Sequence, residues 1–337
     1  MLLGNLSTRV GGRTFAQPDV GVRRSLHSIV VALIPRTDLD VFGLNLGCNV
    51  FGWTASREES FAVLDAYDAA GGNFLDTADV YMAGVPGNSG GESETIIGEW
   101  LATRGRPDDF VIATKVGKLD GFKDLRPETI KAAAENSLKR LGVETIDLYY
   151  AHFDDEETPL AETLGGFGEL IEAGKVRYIA ASNYSGARLA DALEIAERES
   201  LPRYVALQPH YNLMERDFET DQRPVCERED VPVFPFFSLA MGFLTGKYRP
   251  GVDVDSPRAE GAAQYLDERG ERMLSALDEI SATHGVAPAA VAVAWLREQP
   301  TVLSPIASAR TVDQLSPLLD AVGLELSADE LARLTSI

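Results

Sequence analysis

Titratable and hydrogen-bonding side chains recur just past the apolar, strand-forming runs of this chain: Asp76 and then Tyr81, Lys115, His152, Ser182 with Asn183, and Gln208. Taken singly, each has an ordinary reading: Asp76 as a turn cap, Tyr81 as a loop aromatic, Lys115 as the solvated end of a strand, His152 as a satisfied core histidine. Their occurrence at successive strand ends points instead to one site. There a carboxyl, a phenol, an amine and an imidazole together can move a proton and stabilise developing charge. Metal-assisted hydrolysis is disfavoured, because the 4 histidines are scattered singly and give no zinc pattern. His210 and His284 read as structural.

The elements that must carry these residues follow a regular alternation. From about Ile34 onward, short strand-type runs alternate with helical patterns, the signature of βαβ units and a parallel sheet. Strands are predicted at Val41 to Gly47, Asn73 to Ala78, Phe110 to Val116, Ile146 to Ala151, Val176 to Ala181, Tyr204 to Gln208, Val231 to Phe236 and Val302 to Ile306. That set is enough to close a barrel, and barrel enzymes carry their reacting groups at the carboxyl ends of the strands. An open, doubly wound sheet shows the same alternation, but its dinucleotide-binding form needs GxGxxG after the first strand. Here the first strand ends in Gly47-Cys48-Asn49 and no such fingerprint follows. The fold class is therefore read as α/β, a single (β/α)8 TIM barrel over residues 31–337 with C-terminal helices, preceded by an N-terminal extension over residues 1–30.

Helix boundaries carry their own signals. Ser56 and Glu59 form a capping box for a helix from Arg57 to Ala70, which Gly71 and Gly72 close. Pro127 opens a helix with Ile130, Ala134, Leu138 and Leu141 on one face, and Gly142 stops it. Leu160 to Ala173 and Leu189 to Glu199 read in the same way.

Composition narrows the function classes. With 337 residues, 45% hydrophobic and 25% charged, the chain has material for a sizeable core and is neither disordered nor membrane-embedded. Its 52 acidic against 31 basic residues give a formal charge of -21, which repels a phosphate backbone and argues against nucleic acid as a partner. The acidity fits either a high-salt cytoplasm or an ordinary acidic enzyme. Cys48 and Cys226 sit in no CxxC cluster, so no disulfide framework is expected and a cytoplasmic location is. Apolar runs such as Ile29 to Pro35 are far short of a bilayer span. The first stretch, Met1 to about Ser28, is poor in acids and carries Arg9, Arg13, Arg23 and Arg24; it reads as a targeting segment, a flexible tail or an upstream start, and lacks the apolar core of a secretory signal.

At this point the sequence resembles the aldo-keto reductase family over about residues 34 to 337. The resemblance is carried by Asn73-Phe74-Leu75-Asp76-Thr77-Ala78 with Tyr81, Ala113-Thr114-Lys115, Asp147-Leu148-Tyr149-Tyr150-Ala151-His152 and Ala181-Ser182-Asn183. Gln208 with Tyr211-Asn212-Leu213, and Leu244-Thr245-Gly246-Lys247-Tyr248, continue it. The family implies a catalytic tetrad that falls on Asp76, Tyr81, Lys115 and His152, with NADP(H) as cofactor and a small carbonyl or alcohol as substrate. A free tyrosine, with a pKa of about 10, is a weak acid at neutral pH. A lysine cation beside it is expected to lower that value, and Asp76 to hold the lysine charged and aimed. Tyr81 and His152 would then stabilise the charge that builds on the carbonyl oxygen, and Tyr81 would deliver the proton.

The resemblance also assigns a cofactor site. Gly47, Cys48, Asn49 and Asp76 fall at its first strands, Ser182, Asn183 and Gln208 on the nicotinamide carboxamide, and Phe236 against the ring. Ser238, Leu239, Gly242 and Lys247 fall on the diphosphate, and Ser308, Arg310 and Gln314 on the adenosine 2′-phosphate, where a guanidinium favours NADPH. Two departures stand out: the stacking residue is Phe236 where the family usually has Tyr, and the acidic residue and Asn expected to read adenine are Pro317 and Leu318. Trp53, with Tyr81, His152 and the loop from Met82 to Gly91, is expected at the substrate mouth, against an alternative as a loop tryptophan packed on its own turn. The rival function is a non-catalytic, NADPH-sensing subunit of the kind that partners potassium channels. Oligomeric state is open.

Overall fold

In the computed structural model, which describes residues 31–337, the chain begins with a hairpin of two antiparallel strands, β1 (Val31–Leu33) and β2 (Asp40–Phe42). The expected N-terminal extension lies outside the described residues. Seven parallel strands follow: β3 (Asn45–Gly47), β4 (Phe74–Asp76), β5 (Val111–Val116), β6 (Ile146–Ala151), β7 (Val176–Ser182), β8 (Tyr204–Gln208) and β9 (Ile306–Ala307), in the order β8-β7-β6-β5-β4-β3-β9. The two ends of this curled sheet are joined through the segment predicted as the strand Val231 to Phe236. Val233 bridges to Leu207 on one side and to Val302 on the other, and the Phe234 N–H donates to the Leu207 carbonyl at 2.9 Å. The result is a (β/α)8 barrel. Its penultimate stave is irregular because Pro232 and Pro235 carry no N–H for a ladder.

The first predicted strand needs correction. Val41 to Gly47 is not one strand: Asp40–Phe42 belongs to the hairpin, and only Asn45–Gly47 enters the barrel. Asn73 causes the break, since its Oδ1 accepts from the Phe42 N–H at 2.8 Å and its Nδ2 donates to the Asp40 carbonyl at 2.8 Å. The hairpin residues Ile34, Leu39 and Val41 join Phe74, Val111, Leu148, Tyr150, Ala206, Phe234 and Ile306 in the apolar fill of the barrel. The amino end is thereby sealed, leaving the carboxyl end for a cleft. Val302 to Ile306 is also shifted: regular pairing starts only at Ile306.

Helices form the outer layer where their signals fall. α1 (Arg57–Ala69) opens on the Ser56–Glu59 capping box, a device worth about 1 kcal/mol. α2 (Glu92–Arg104) follows, and then α3 (Pro127–Leu141), which starts on its proline and stops where Gly142 turns left-handed at φ 66°. α3 buries Ile130, Ala133, Ala134, Leu138 and Leu141 against its neighbours. α4 (Leu160–Glu172) and α5 (Gly186–Glu199) complete this half, α5 beginning three residues earlier than Leu189 because Ser185 caps it. α6 (Arg223–Glu229), α7 (Ala259–Ala263), α8 (Glu268–His284), α9 (Pro288–Arg297), α10 (Val312–Gly323) and α11 (Ala328–Thr335) finish the chain. Among the described residues, no helix is long and apolar enough to cross a membrane.

Candidate active site

β4 and β5 lie side by side with Asp76 opposite Ala113, which brings the Lys115 side chain under the end of β4. Lys115 is fully buried, and its Nζ makes three 2.7 Å hydrogen bonds: to Asp76 Oδ2, to the Thr77 carbonyl and to Tyr81 Oη. An ammonium has three donors, so this set of acceptors suits the charged amine and fixes its direction. Asp76 is held from its other side, where Oδ1 accepts from Gln208 Nε2 at 2.8 Å. Tyr81 reaches the same point from the loop after β4, its hydroxyl also donating to Asp76 Oδ2 at 3.2 Å.

His152 follows β6. Its backbone N–H donates to the Val116 carbonyl at 2.9 Å, and its own carbonyl accepts from Asn183 Nδ2 at 2.8 Å. Its ring stands edge to face with Tyr81, centroids 6.0 Å apart, and its Nδ1 has no hydrogen-bond partner among the described residues. The structure therefore brings Asp76, Tyr81, Lys115 and His152 together. Asp147, from the same motif as His152, lies at the other end of β6, where Arg106 at 2.5 Å and Arg177 at 2.9 Å hold it.

Burial dominates the electrostatics. It pushes the Tyr81 phenol well above its ordinary range, and the Asp76 carboxylate pushes in the same direction. The expectation of a phenol more acidic than a free tyrosine is therefore corrected for this state, in which burial and Asp76 set the direction. Burial also lowers Lys115 below an ordinary amine, against the pull of Asp76. His152 is held well below an ordinary imidazole by burial and then by the charges of Lys115 and Lys118. At neutral pH the site thus offers a protonated phenol and a neutral imidazole, two hydrogen-bond donors converging on one small volume.

That volume belongs to a cleft of about 600 Å³ over the carboxyl end of the barrel. Its lining includes Gly47, Asn49, Trp53, Asp76, Tyr81, His152, Ser182, Asn183, Gln208, Phe236, Ser238, Leu239, Gly242, Lys247, Ser308, Arg310 and Gln314, each singled out from the sequence. Cys48 is different: its thiol is fully buried on the outer side of the barrel wall and donates to the Leu46 carbonyl at 3.4 Å, so its side chain does not reach the cleft. Several nominated groups are already engaged. Gln208 Nε2 is spent on Asp76, Ser182 Oγ donates to the Gln208 carbonyl at 3.0 Å, and Ser238 Oγ donates to the Ile306 carbonyl at 2.8 Å. Phe236 stacks on His210 at 5.2 Å, which gives that histidine a supporting role. Gly47 admits no side chain, because a Cβ there would meet Ser308 Oγ at 2.6 Å, and that hydroxyl is itself tied to Asn49 Oδ1 at 2.6 Å.

Beyond this floor the chain supplies features suited to phosphates. The turn at Ala240–Thr245 passes through left-handed Met241 and Gly242, at φ 57° and 94°, and leads to Lys247. α10 points its amino end at the cleft, capped by Thr311, whose hydroxyl accepts from the Gln314 N–H at 3.3 Å. Lys247, Arg258 and Arg310 line the cleft, and none of them appears in a salt bridge among the described residues. Sequence reasoning missed Arg258, which lies in the cleft wall with its guanidinium 5.9 Å over the Trp53 ring. It missed Lys118, Met241 and Asp313 as well; Lys118 is a lone charge in a loop, Met241 an apolar residue in a turn and Asp313 an ordinary first-turn acid of α10, and none of these carries a motif. Pro317 and Leu318 are part of the wall, making it apolar where a polar pair was expected. Among the described residues, no group of His, Cys, Asp and Glu is placed to hold a metal ion.

The chain is similar to known proteins over most of its length. The sequence profile of the Aldo/keto reductase family matches residues 43–337. Protein tas of Escherichia coli (strain K12) is 33% identical over 332 residues, covering 90% of this chain and 96% of that protein. Norsolorinic acid reductase stcV of Emericella nidulans is 32% identical, with 94% of this chain and 83% of that protein covered. The uncharacterized oxidoreductase YrpG of Bacillus subtilis is 33% identical, with 90% and 94% covered. With buried Asp76 and Lys115 joined to the partly exposed Tyr81 beneath a cleft at the carboxyl end of a (β/α)8 barrel, and a match over nearly the whole described chain, this protein belongs to the aldo/keto reductase family.

Proposed function

We propose that the protein is an NADP-dependent oxidoreductase that reduces an aldehyde or ketone to an alcohol, or runs the reverse reaction, with Tyr81 as the acid or base. One observation carries this reading: the buried Lys115 ammonium joins Asp76 to the Tyr81 hydroxyl at the floor of the cleft. The cleft fits the cofactor by the chemistry of its lining. Lys247, Arg258, Arg310 and the amino end of α10 supply the positive potential that a dinucleotide phosphate needs on a chain of charge -21. Phe236 supplies an apolar face, and Asn183 and the free oxygen of Gln208 supply polar contacts for a carboxamide. Bound there, a reduced nicotinamide contributes the hydride.

The protein's own part is to orient and to protonate. Tyr81 Oη and the His152 ring define where a carbonyl oxygen sits, and both can donate to it as charge accumulates. Raised by burial, the Tyr81 phenol still holds its proton at neutral pH. When it gives that proton up, the phenolate is left 2.7 Å from an ammonium that Asp76 keeps in place. Relatives named for norsolorinic acid reduction and aryl-alcohol dehydrogenation, together with Trp53 at the mouth, favour an aromatic carbonyl substrate. Two free, buried cysteines are compatible with a cytoplasmic setting. The test is NADPH consumption with a panel of aldehydes and ketones. Steady turnover is expected with aromatic members; tight NADPH binding without turnover on any member would favour the sensing subunit. Arg310→Ala should weaken NADPH about tenfold or more while sparing NADH.

A further inference from the structure

Lys118 is used by none of the roles above. β5 ends at Val116, and Gly117 then turns the chain at φ 113°, so tightly that a Cβ would meet the Phe153 ring at 2.8 Å. This turn delivers Lys118 to the cleft wall in company with Trp53, Tyr81 and His152. Among the described residues Lys118 makes no salt bridge and no hydrogen bond, and its charge is felt at His152. The acids of the cleft wall leave it unbalanced. Asp76 is consumed by Lys115 and Gln208, and Asp313 lies with Arg310 and Gln314 on α10 and the turn before it. On a surface of charge -21, a cation without a partner beside the reacting groups is a local exception.

Resting on the oxidoreductase reading, we propose that Lys118 is a specificity-determining residue that selects carbonyl substrates bearing an anionic group, a carboxylate or an ionised phenol, near the carbonyl. The ammonium sits on a flexible stem, so it can meet an anion at the rim while the carbonyl oxygen rests between Tyr81 and His152. Its reward is electrostatic, larger in a half-enclosed cleft than in open water, and weakened by salt. Lys118 does not touch the reacting atoms, and its effect belongs in KM rather than kcat.

The experiment compares 2-carboxybenzaldehyde with benzaldehyde in wild type, Lys118→Ala, Lys118→Glu and Lys118→Arg. The ratio of kcat/KM, charged over neutral, should fall about fivefold in Lys118→Ala, further in Lys118→Glu, and be largely kept in Lys118→Arg. The loss should sit in KM and shrink at high salt. In parallel, benzoate binding to the NADPH-loaded protein is measured by calorimetry, which needs no turnover. Benzoate binding that weakens from wild type to Lys118→Ala to Lys118→Glu supports the proposal even if neither aldehyde is reduced, an outcome that would count against the oxidoreductase reading alone. Equal ratios in wild type and Lys118→Glu, or benzoate binding absent from wild type or indifferent to the substitutions, would overturn it.

Discussion

Lys115 shows how much of this site is decided by one buried side chain. Its three hydrogen bonds account for every donor of an ammonium, so removing any acceptor leaves a costly orphan, and removing the lysine leaves Asp76 facing Tyr81 without a countercharge. Asp79, three residues past Asp76, presents the opposite case. It is almost completely buried beside Glu94, the Val80 backbone gives it little relief, and its carboxyl is pushed up to about 8. Between the ordinary carboxylate range and about 8, the folded state keeps a proton that the unfolded chain has lost, so Asp79 costs stability as pH rises through that window. Asp79→Asn should therefore flatten the fall in urea midpoint from weakly acid to weakly alkaline pH; a slope identical to wild type would contradict this assignment. The tetrad residues were legible because their types recur at strand ends. Arg258 and Lys118 were not, because only loop conformation brings them to the cleft. Cys48 was misplaced by its motif position: the strand alternation that aims Gly47 and Asn49 at the cleft sends its side chain outward.

At the scale of elements, punctuation was readable and long-range docking was not. The capping box at Ser56 and the stop at Gly142 act within a few residues, so sequence reveals them directly. The opening hairpin depends on Asn73, whose amide ties together the Phe42 N–H and the carbonyls of Asp40 and Asp109, the last at 3.0 Å. No periodicity announces a contact made across thirty residues, so the apolar run Val41 to Gly47 reads as one strand although it is split between the hairpin and the barrel. The penultimate stave was found by its apolar run, but its prolines reduce it to bridges. Asn73→Ala leaves buried backbone groups unsatisfied at the seal of the barrel and should cost about 2–3 kcal/mol in urea denaturation. A change within about 0.5 kcal/mol would mean that the hairpin is held by apolar contacts alone.

Over the whole molecule, the charge of -21 sets a field that both stability and binding must contend with. Self-repulsion among surface carboxylates is screened as salt rises from about 10 mM to about 0.5 M, so the melting temperature should increase over that range. A melting temperature indifferent to salt would mean that the surface pairs, such as Arg104 with Asp65 and Arg333 with Glu279, already neutralise the field locally. The same field makes the cationic cleft a distinct target for phosphates and anions, which ties cofactor capture to the overall acidity of the protein. The central claim nonetheless rests at the barrel floor, on Tyr81 as the group that moves the proton. It is tested most directly by Tyr81→Phe, with single-turnover reduction of an aldehyde followed alongside NADPH affinity. The chemical step is expected to slow by about 10² to 10⁴ while NADPH binds as in wild type. A Tyr81→Phe protein that reduces the aldehyde at the wild-type rate would contradict it.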